Sequence, residues 1–195
     1  MAKRARKLRR SFYRRPAEVV ARELIGKIIV RRVNGEELRA RIVETEAYVG
    51  EHDLACHAAK GRTRRTEVMF GEAGHAYVYF IYGMHDMLNI VCAPVGEAQA
   101  VLVRAAEALG GWEANLSGPG RLARGLVISR KENGVDLTAE ELFLIDDGTK
   151  PRIGRSVRIG VDYSGAWKDK PLRFFDLDSR AVSGGRKLNQ QIELT

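Results

Sequence analysis

Glutamates at positions 44 and 46 and a tyrosine at 48 fall at every second residue of Glu44-Thr45-Glu46-Ala47-Tyr48. In an extended strand successive side chains point to opposite faces, so these three share one face and Val43, Thr45 and Ala47 share the other. Two neighbouring carboxylates repel, and in a dry site one of them holds its proton more tightly. Such a pair suits general acid or base work. A solvent-facing strand edge would show the same pattern, and alternation alone does not choose between Glu44 and Glu46. A second stretch, Ala76-Tyr77-Val78-Tyr79-Phe80-Ile81-Tyr82, holds three of the six tyrosines. Tyr77, Tyr79 and Ile81 share a face, and Val78, Phe80 and Tyr82 share the other. Tyr82 precedes Gly83 at an expected hairpin tip, where its ring would project outward. An aromatic ring stacks on a nucleobase for about 1–3 kcal/mol. Tyrosine is also a favoured strand residue, which is the simpler account of Tyr77.

Other chemistries find no support. His52, His57, His75 and His85 fit no zinc-binding spacing, and the zinc-deaminase signature is missing. No glycine-rich phosphate loop follows a strand, so neither a dinucleotide nor a nucleoside triphosphate is implied. Cys56 and Cys92 read as small packing residues in a reducing compartment.

The elements that must position these residues are strands first. Ala17 to Leu24 has helical composition, with Pro16 at its start and Gly26 as a stop. Lys27–Val33 and Glu37–Val43 are β-branched runs around Asn34-Gly35, a strong hairpin signal, and the second continues to Tyr48. Glu51 to Arg65 reads as a long loop or short helix. Ala76–Tyr82 and Met87–Cys92 form a second hairpin, and Gln99–Ala106 is a further strand. Ser117-Gly118-Pro119-Gly120 opens a helix to about Leu126. Short strands are expected at 142–145, 152–160 and 173–174. Hairpin connections and few helices indicate an α+β fold, a single domain with a curved antiparallel β-sheet flanked by helices.

Charge is concentrated at one end. The net +8 arises from 33 basic and 25 acidic residues, and eight basic residues with no acid lie in the first 15. The remainder is balanced, 25 against 25. Residues 1–10 are expected to be a basic, disordered tail before a domain spanning 11–195. Within the balanced body stand local clusters at Arg62, Arg64 and Arg65, at Arg121 and Arg124, and at Lys150, Arg152, Arg155 and Arg158. Separate basic patches on a neutral body fit a surface that meets phosphate on one side. No apolar run reaches the roughly 20 residues of a membrane helix. A cytoplasmic protein is expected, nucleoid-associated in a bacterium.

Taken together these segments resemble the alkyladenine (3-methyladenine) DNA glycosylase family. Ile42 to Gly50 with Asp53 and His57 resembles its catalytic strand and loop. Met69-Phe70, Gly74 and Tyr77 to Met84, continuing to Leu88-Asn89-Ile90, resemble its DNA-inserting hairpin. Val101 to Ala105, Ser117 to Leu122 and Arg158 to Tyr163 follow in order. The resemblance implies a fold like the C-terminal domain of methionyl-tRNA formyltransferase, with a protruding hairpin. It implies a monofunctional base-excision repair enzyme acting, as a monomer without cofactor or metal, on duplex DNA containing damaged purines, 3-methyladenine and possible hypoxanthine among them. Glu46 would activate the attacking water, with Arg104 beside it and the adjacent phosphate. Tyr48, Tyr79 and His57 would hold the extruded base, with Tyr77 in the same pocket and Asn89 on its floor. Tyr82 would wedge into the vacated duplex, and Arg62 and Arg64 would face the DNA backbone. The competing reading is a non-catalytic nucleic-acid-binding module, which would not need the set Glu46, Tyr48 and His57.

Overall fold

The computed structural model describes residues 5–81, 83–185 and 189–190. The chain opens with β1 (Arg6–Lys7), α1 (Arg10–Tyr13) and α2 (Ala17–Leu24). Ala17, Val20, Ala21 and Leu24 are buried, the i, i+3, i+4, i+7 stripe of a helix lying on a core. β2 (Ile28–Val33) and β3 (Glu36–Tyr48) are joined by Asn34-Gly35. Both turn residues take positive φ, 54° and 79°, as a tight turn matched to strand twist requires. β4 (Ala76–Ile81), β5 (His85–Cys92) and β6 (Gln99–Leu109) follow, then α3 (Pro119–Gly125), β7 (Leu142–Asp146), β8 (Ile153–Ser156) and β9 (Arg173–Asp176).

The nine strands make one sheet in the order β1-β7-β2-β3-β6-β5-β4, and every ladder among the described residues is antiparallel. β9 pairs with residues 44–46 of β3, beyond the stretch that β2 occupies, and carries β8 on its outer side. The main core lies between one face of this sheet and the three helices. On the other face a smaller cluster forms under the loop between β3 and β4, from Cys56, Ala58, Met69, Phe70, Tyr77, Val91, Ala98 and Ala100. The α+β, single-domain expectation is met. No helix among the described residues is long and apolar enough to cross a membrane.

The β3–β6 ladder carries a local irregularity that matters for the site. Register shifts between Ile42 and Glu44 and back between Glu44 and Thr45. Leu38, Ala40 and Ile42 before it, and Ala47 after it, all belong to the main core. Uniform alternation would put Ala47 on the opposite face from Ile42, so the irregularity resets the pattern. Thr45 then faces the helices, donating its hydroxyl to the Ala21 carbonyl at 2.8 Å, and Glu44 and Glu46 are left on the opposite face.

Two sequence expectations need correction. Residues 6–10 are not a disordered tail. Arg6 and Lys7 pair with Asp146 and Ile145, Leu8 is buried, and its amide donates to the Leu144 carbonyl. Arg10 ties the segment down by donating to Asp136 at 2.7 Å and to the Ala73 carbonyl at 2.9 Å. Charge density concealed the one apolar anchor, Leu8, and the acids that meet the cations lie far along the chain. The strand expected over 152–160 ends at Ser156, and residues beyond it turn toward β3. The long loop or short helix expected over 51–65 is met by a loop with the 3₁₀ turn His57–Lys60, and a second turn, Glu67–Phe70, follows it.

Because Leu8 fills part of the main core, Leu8→Ala should lower stability by about 2 kcal/mol in urea unfolding. A tail outside the fold would leave the midpoint unchanged.

Candidate active site

Direct cross-strand partners share a face of a sheet. Tyr77 lies opposite Asn89, Asn89 opposite Leu102, Leu102 opposite Glu46, and Glu46 opposite Arg173. One row thus runs across β4, β5, β6, β3 and β9 on the face away from the helices. Glu46 and Arg173, distant in sequence, come together in this row.

At its centre both glutamates are fully buried. Glu44 accepts from Arg173 Nε at 2.6 Å and Arg104 Nε at 3.2 Å through one oxygen, and from the Ser183 amide at 2.7 Å through the other. Glu46 Oε1 accepts from the Ile159 amide at 2.7 Å and lies 3.3 Å from Arg104 Nη1. Its Oε2 accepts from the Tyr48 hydroxyl at 2.9 Å. The two carboxylates therefore differ. Glu44 is locked between two arginines, whereas Glu46 reaches toward the aromatic side chains. Burial pulls the Arg104 guanidinium down, but Glu46 and Glu44 outweigh it and hold it above its ordinary value. Burial, followed by the Glu46 charge, raises the Tyr48 phenol well above its ordinary value, so it remains a donor.

Beside Glu46 stand the rings. His57 meets Tyr79 edge-on at 4.5 Å between centroids, and Tyr77 lies 5.5 Å from Tyr79. His57 Nδ1 is 2.9 Å from the Tyr77 hydroxyl. Asn89 is buried and donates from Nδ2 to the carbonyls of Tyr77 and Met87 at 3.2 and 3.3 Å. Burial, with the charges of Arg65 and Lys60 behind it, lowers the His57 imidazole to about 4. Near neutral pH this ring carries one N–H and one bare nitrogen.

The fold thus gathers Glu46, Arg104, Tyr48, Tyr77, Tyr79, His57 and Asn89 on one face. Arg62 and Arg64 lie exposed on the neighbouring loop, and Arg62 pairs with Glu67. Tyr82 lies outside the described residues. Sequence reasoning missed Arg173, whose signal was an arginine inside the apolar run Leu172-Arg173-Phe174-Phe175. It placed Arg65 only among the basic clusters, whereas its guanidinium lies over the Tyr79 ring at 5.2 Å. The Ile159 amide leaves no trace in side-chain patterning at all. Both cysteines are buried, and burial pushes the Cys56 thiol up to about 11, which leaves it inert as a nucleophile.

A family model for methylpurine-DNA glycosylases matches residues 11–180. The chain belongs to the methylpurine-DNA glycosylase family. A Myxococcus xanthus (strain DK1622) protein named "Putative 3-methyladenine DNA glycosylase" is 52% identical over 179 residues, 90% of this chain and 92% of that protein. Proteins of the same name from Methanocella arvoryzae and Legionella pneumophila (strain Lens) are 46% and 45% identical. Their matches cover 90% and 91% of this chain, and 95% and 98% of theirs. As a methylpurine-DNA glycosylase the chain is a DNA-repair hydrolase acting on N-glycosyl bonds, which sets aside the non-catalytic module.

The state of His57 is measurable in this glycosylase. Its ring signals in NMR should not titrate until the pH approaches about 4. A midpoint near 6.5 would refute the buried, neutral ring. The sign for stability follows. The unfolded chain takes up a proton through about 6.5 and the folded one only near 4, so this residue's contribution weakens as pH falls through that window.

Proposed function

We propose that the glycosylase extrudes a damaged purine from duplex DNA and hydrolyses its glycosidic bond with a water activated by Glu46, leaving an abasic site. One observation carries this reading: a buried carboxylate with three donors converging on it, directly beside a cluster of tyrosine and histidine rings. A duplex hides the sugar C1′, so the base must leave the stack at a cost of a few kcal/mol, least for a damaged or mispaired base. In this reading Tyr82 fills the gap and Tyr48, Tyr79 and His57 hold the extruded base, with Tyr77 behind His57. Electron-poor alkylated purines stack well on electron-rich rings and are good leaving groups.

The transition state is oxocarbenium-like, as in sugar hydrolysis generally. Ionised Glu46 both accepts the proton of water and faces the positive sugar. Oε2, with a single donor from Tyr48, has a lone pair for that water. Arg104 pairs with the carboxylate at 3.3 Å and lies toward the phosphate beside the extruded nucleotide. Asn89 lines the pocket floor, where its amide disfavours the exocyclic amine of guanine. Arg62 and Arg64 contribute to backbone binding. Hypoxanthine, a neutral leaving group, would need protonation or strong hydrogen bonding to depart. No lysine stands in the matched catalytic motifs, so no Schiff base forms and the strand is not cut. The protein acts as a monomer on a few base pairs, with a fold like the formyltransferase C-terminal domain and β4–β5 as the inserting hairpin.

The test is strand breakage by hot alkali at a 3-methyladenine or hypoxanthine lesion after incubation with the protein. Glu46→Gln should abolish breakage and retain lesion binding, and release at the native rate would remove Glu46 from the chemistry. Tyr82→Ala should slow excision from paired lesions and weaken binding to an abasic duplex far less. An unchanged rate on paired lesions would refute the wedge.

A further inference from the structure

A fully buried ion pair stands against the wall of this site and takes no part in the chemistry set out above. Arg158 and Asp53 are both without exposed side-chain surface. Arg158 donates from Nη1 and Nη2 to the two Asp53 oxygens, the second bond at 2.9 Å. Asp53 also accepts from the amides of Val49 and Ala55 at 3.2 and 3.0 Å. All of its bonds on one side fix the turn that leaves β3. Arg158 reaches further. Nη1 donates to the Ala47 carbonyl at 2.9 Å, and the guanidinium lies over the Tyr48 ring at 4.8 Å. The next residue, Ile159, gives its amide to Glu46 at 2.7 Å. One dipeptide thus touches three consecutive residues of β3: the Glu46 carboxylate, the Ala47 carbonyl and the Tyr48 ring.

We propose that Arg158, neutralised by Asp53, is a positioning residue for base excision, holding Tyr48 and Glu46 in a fixed mutual geometry. A planar guanidinium can do this and an ammonium cannot. Its fork engages Asp53 with two bonds and still presents a flat face to the tyrosine ring. Pairing with Asp53 removes the penalty of a lone buried cation. It also cancels the positive charge behind Tyr48, which would otherwise repel a cationic alkylated base stacked on the ring's other side. Displacing a positioned group by an ångström costs on the order of 100-fold in rate. The inference rests on Glu46 and Tyr48 acting as set out under Proposed function.

The test uses the full chain and methylated duplex DNA, with release of 3-methyladenine followed at saturating enzyme. Arg158→Lys, which keeps the charge and loses the fork, should slow release about 10- to 100-fold. Its affinity for an abasic-site duplex should stay within about threefold of native, because the DNA-facing surface is untouched. In a Tyr48→Leu background the same substitution should cost much less, since the ring it holds is gone. A native rate for Arg158→Lys, or a full and additive loss in the Tyr48→Leu background, would overturn the proposal, the latter pointing to general destabilisation. Arg158→Met and Asp53→Asn extend the series where they fold. Failure of the native protein to release any base would instead sink the underlying reading of Glu46 and Tyr48.

Discussion

A carboxylate buried among arginines and hydrogen-bond donors is the constraint on which the site depends. Removing an ion from water costs several kcal/mol even after relaxation, and only close opposite charges and hydrogen-bond donors offset it. The protein meets this with a network of three arginines and three carboxylates. Arg104, Arg158 and Arg173 stand against Glu44, Glu46 and Asp53, none more than 11% exposed at the side chain. The network is neutral as a whole, which allows it to be dry. Within it the roles divide. Glu44 and Asp53 serve the arginines, and Glu46 alone faces the rings.

The sheet makes the network possible by bringing distant segments into one row. Arg173 comes from near the end of the chain and pairs beside Glu46, while Arg104 enters from β6 at the point where the ladder slips. Without that slip, residues before and after it could not both supply the main core and leave both glutamates on the opposite face. The helices pack on one side. The other side is covered by a loop with only single 3₁₀ turns, built on small residues such as Ala58, Ala98 and Ala100. That cluster also holds Met69, Phe70 and Tyr77, with Tyr48 and Tyr79 packed against it.

Local signals made the elements legible. The helix read over Ala17–Leu24 has those bounds, and the Asn34-Gly35 turn sits where its positive φ values demand. Alternation correctly grouped Glu44, Glu46 and Tyr48, yet it could not separate the two glutamates. Their difference lies in partners more than 100 residues away, Arg173 and Ser183 for one and Ile159 for the other. An amide donor is invisible to any reading of side chains. The 152–160 run looked like a strand because its composition is that of one. Arg158 and Ile159 leave it and donate instead to the Ala47 carbonyl and the Glu46 carboxylate of β3.

The placement of the first residues changes what the net charge means. Lys7, Arg10 and Arg15 have acidic partners in Glu140, Asp136 and Glu23, so part of the excess is already spent within the fold. Leu8, Phe12 and Tyr13 pack into the main core, which puts the segment on the helical face. β1 lies three strands from β3 in the sheet order. At strand spacing that is about 14 Å, well beyond the Debye length of about 8 Å at physiological ionic strength. Arg6 and Lys7 are therefore screened from Glu46. The charge nearest Glu46 is instead that of Arg104, whose Nη1 lies 3.3 Å from it.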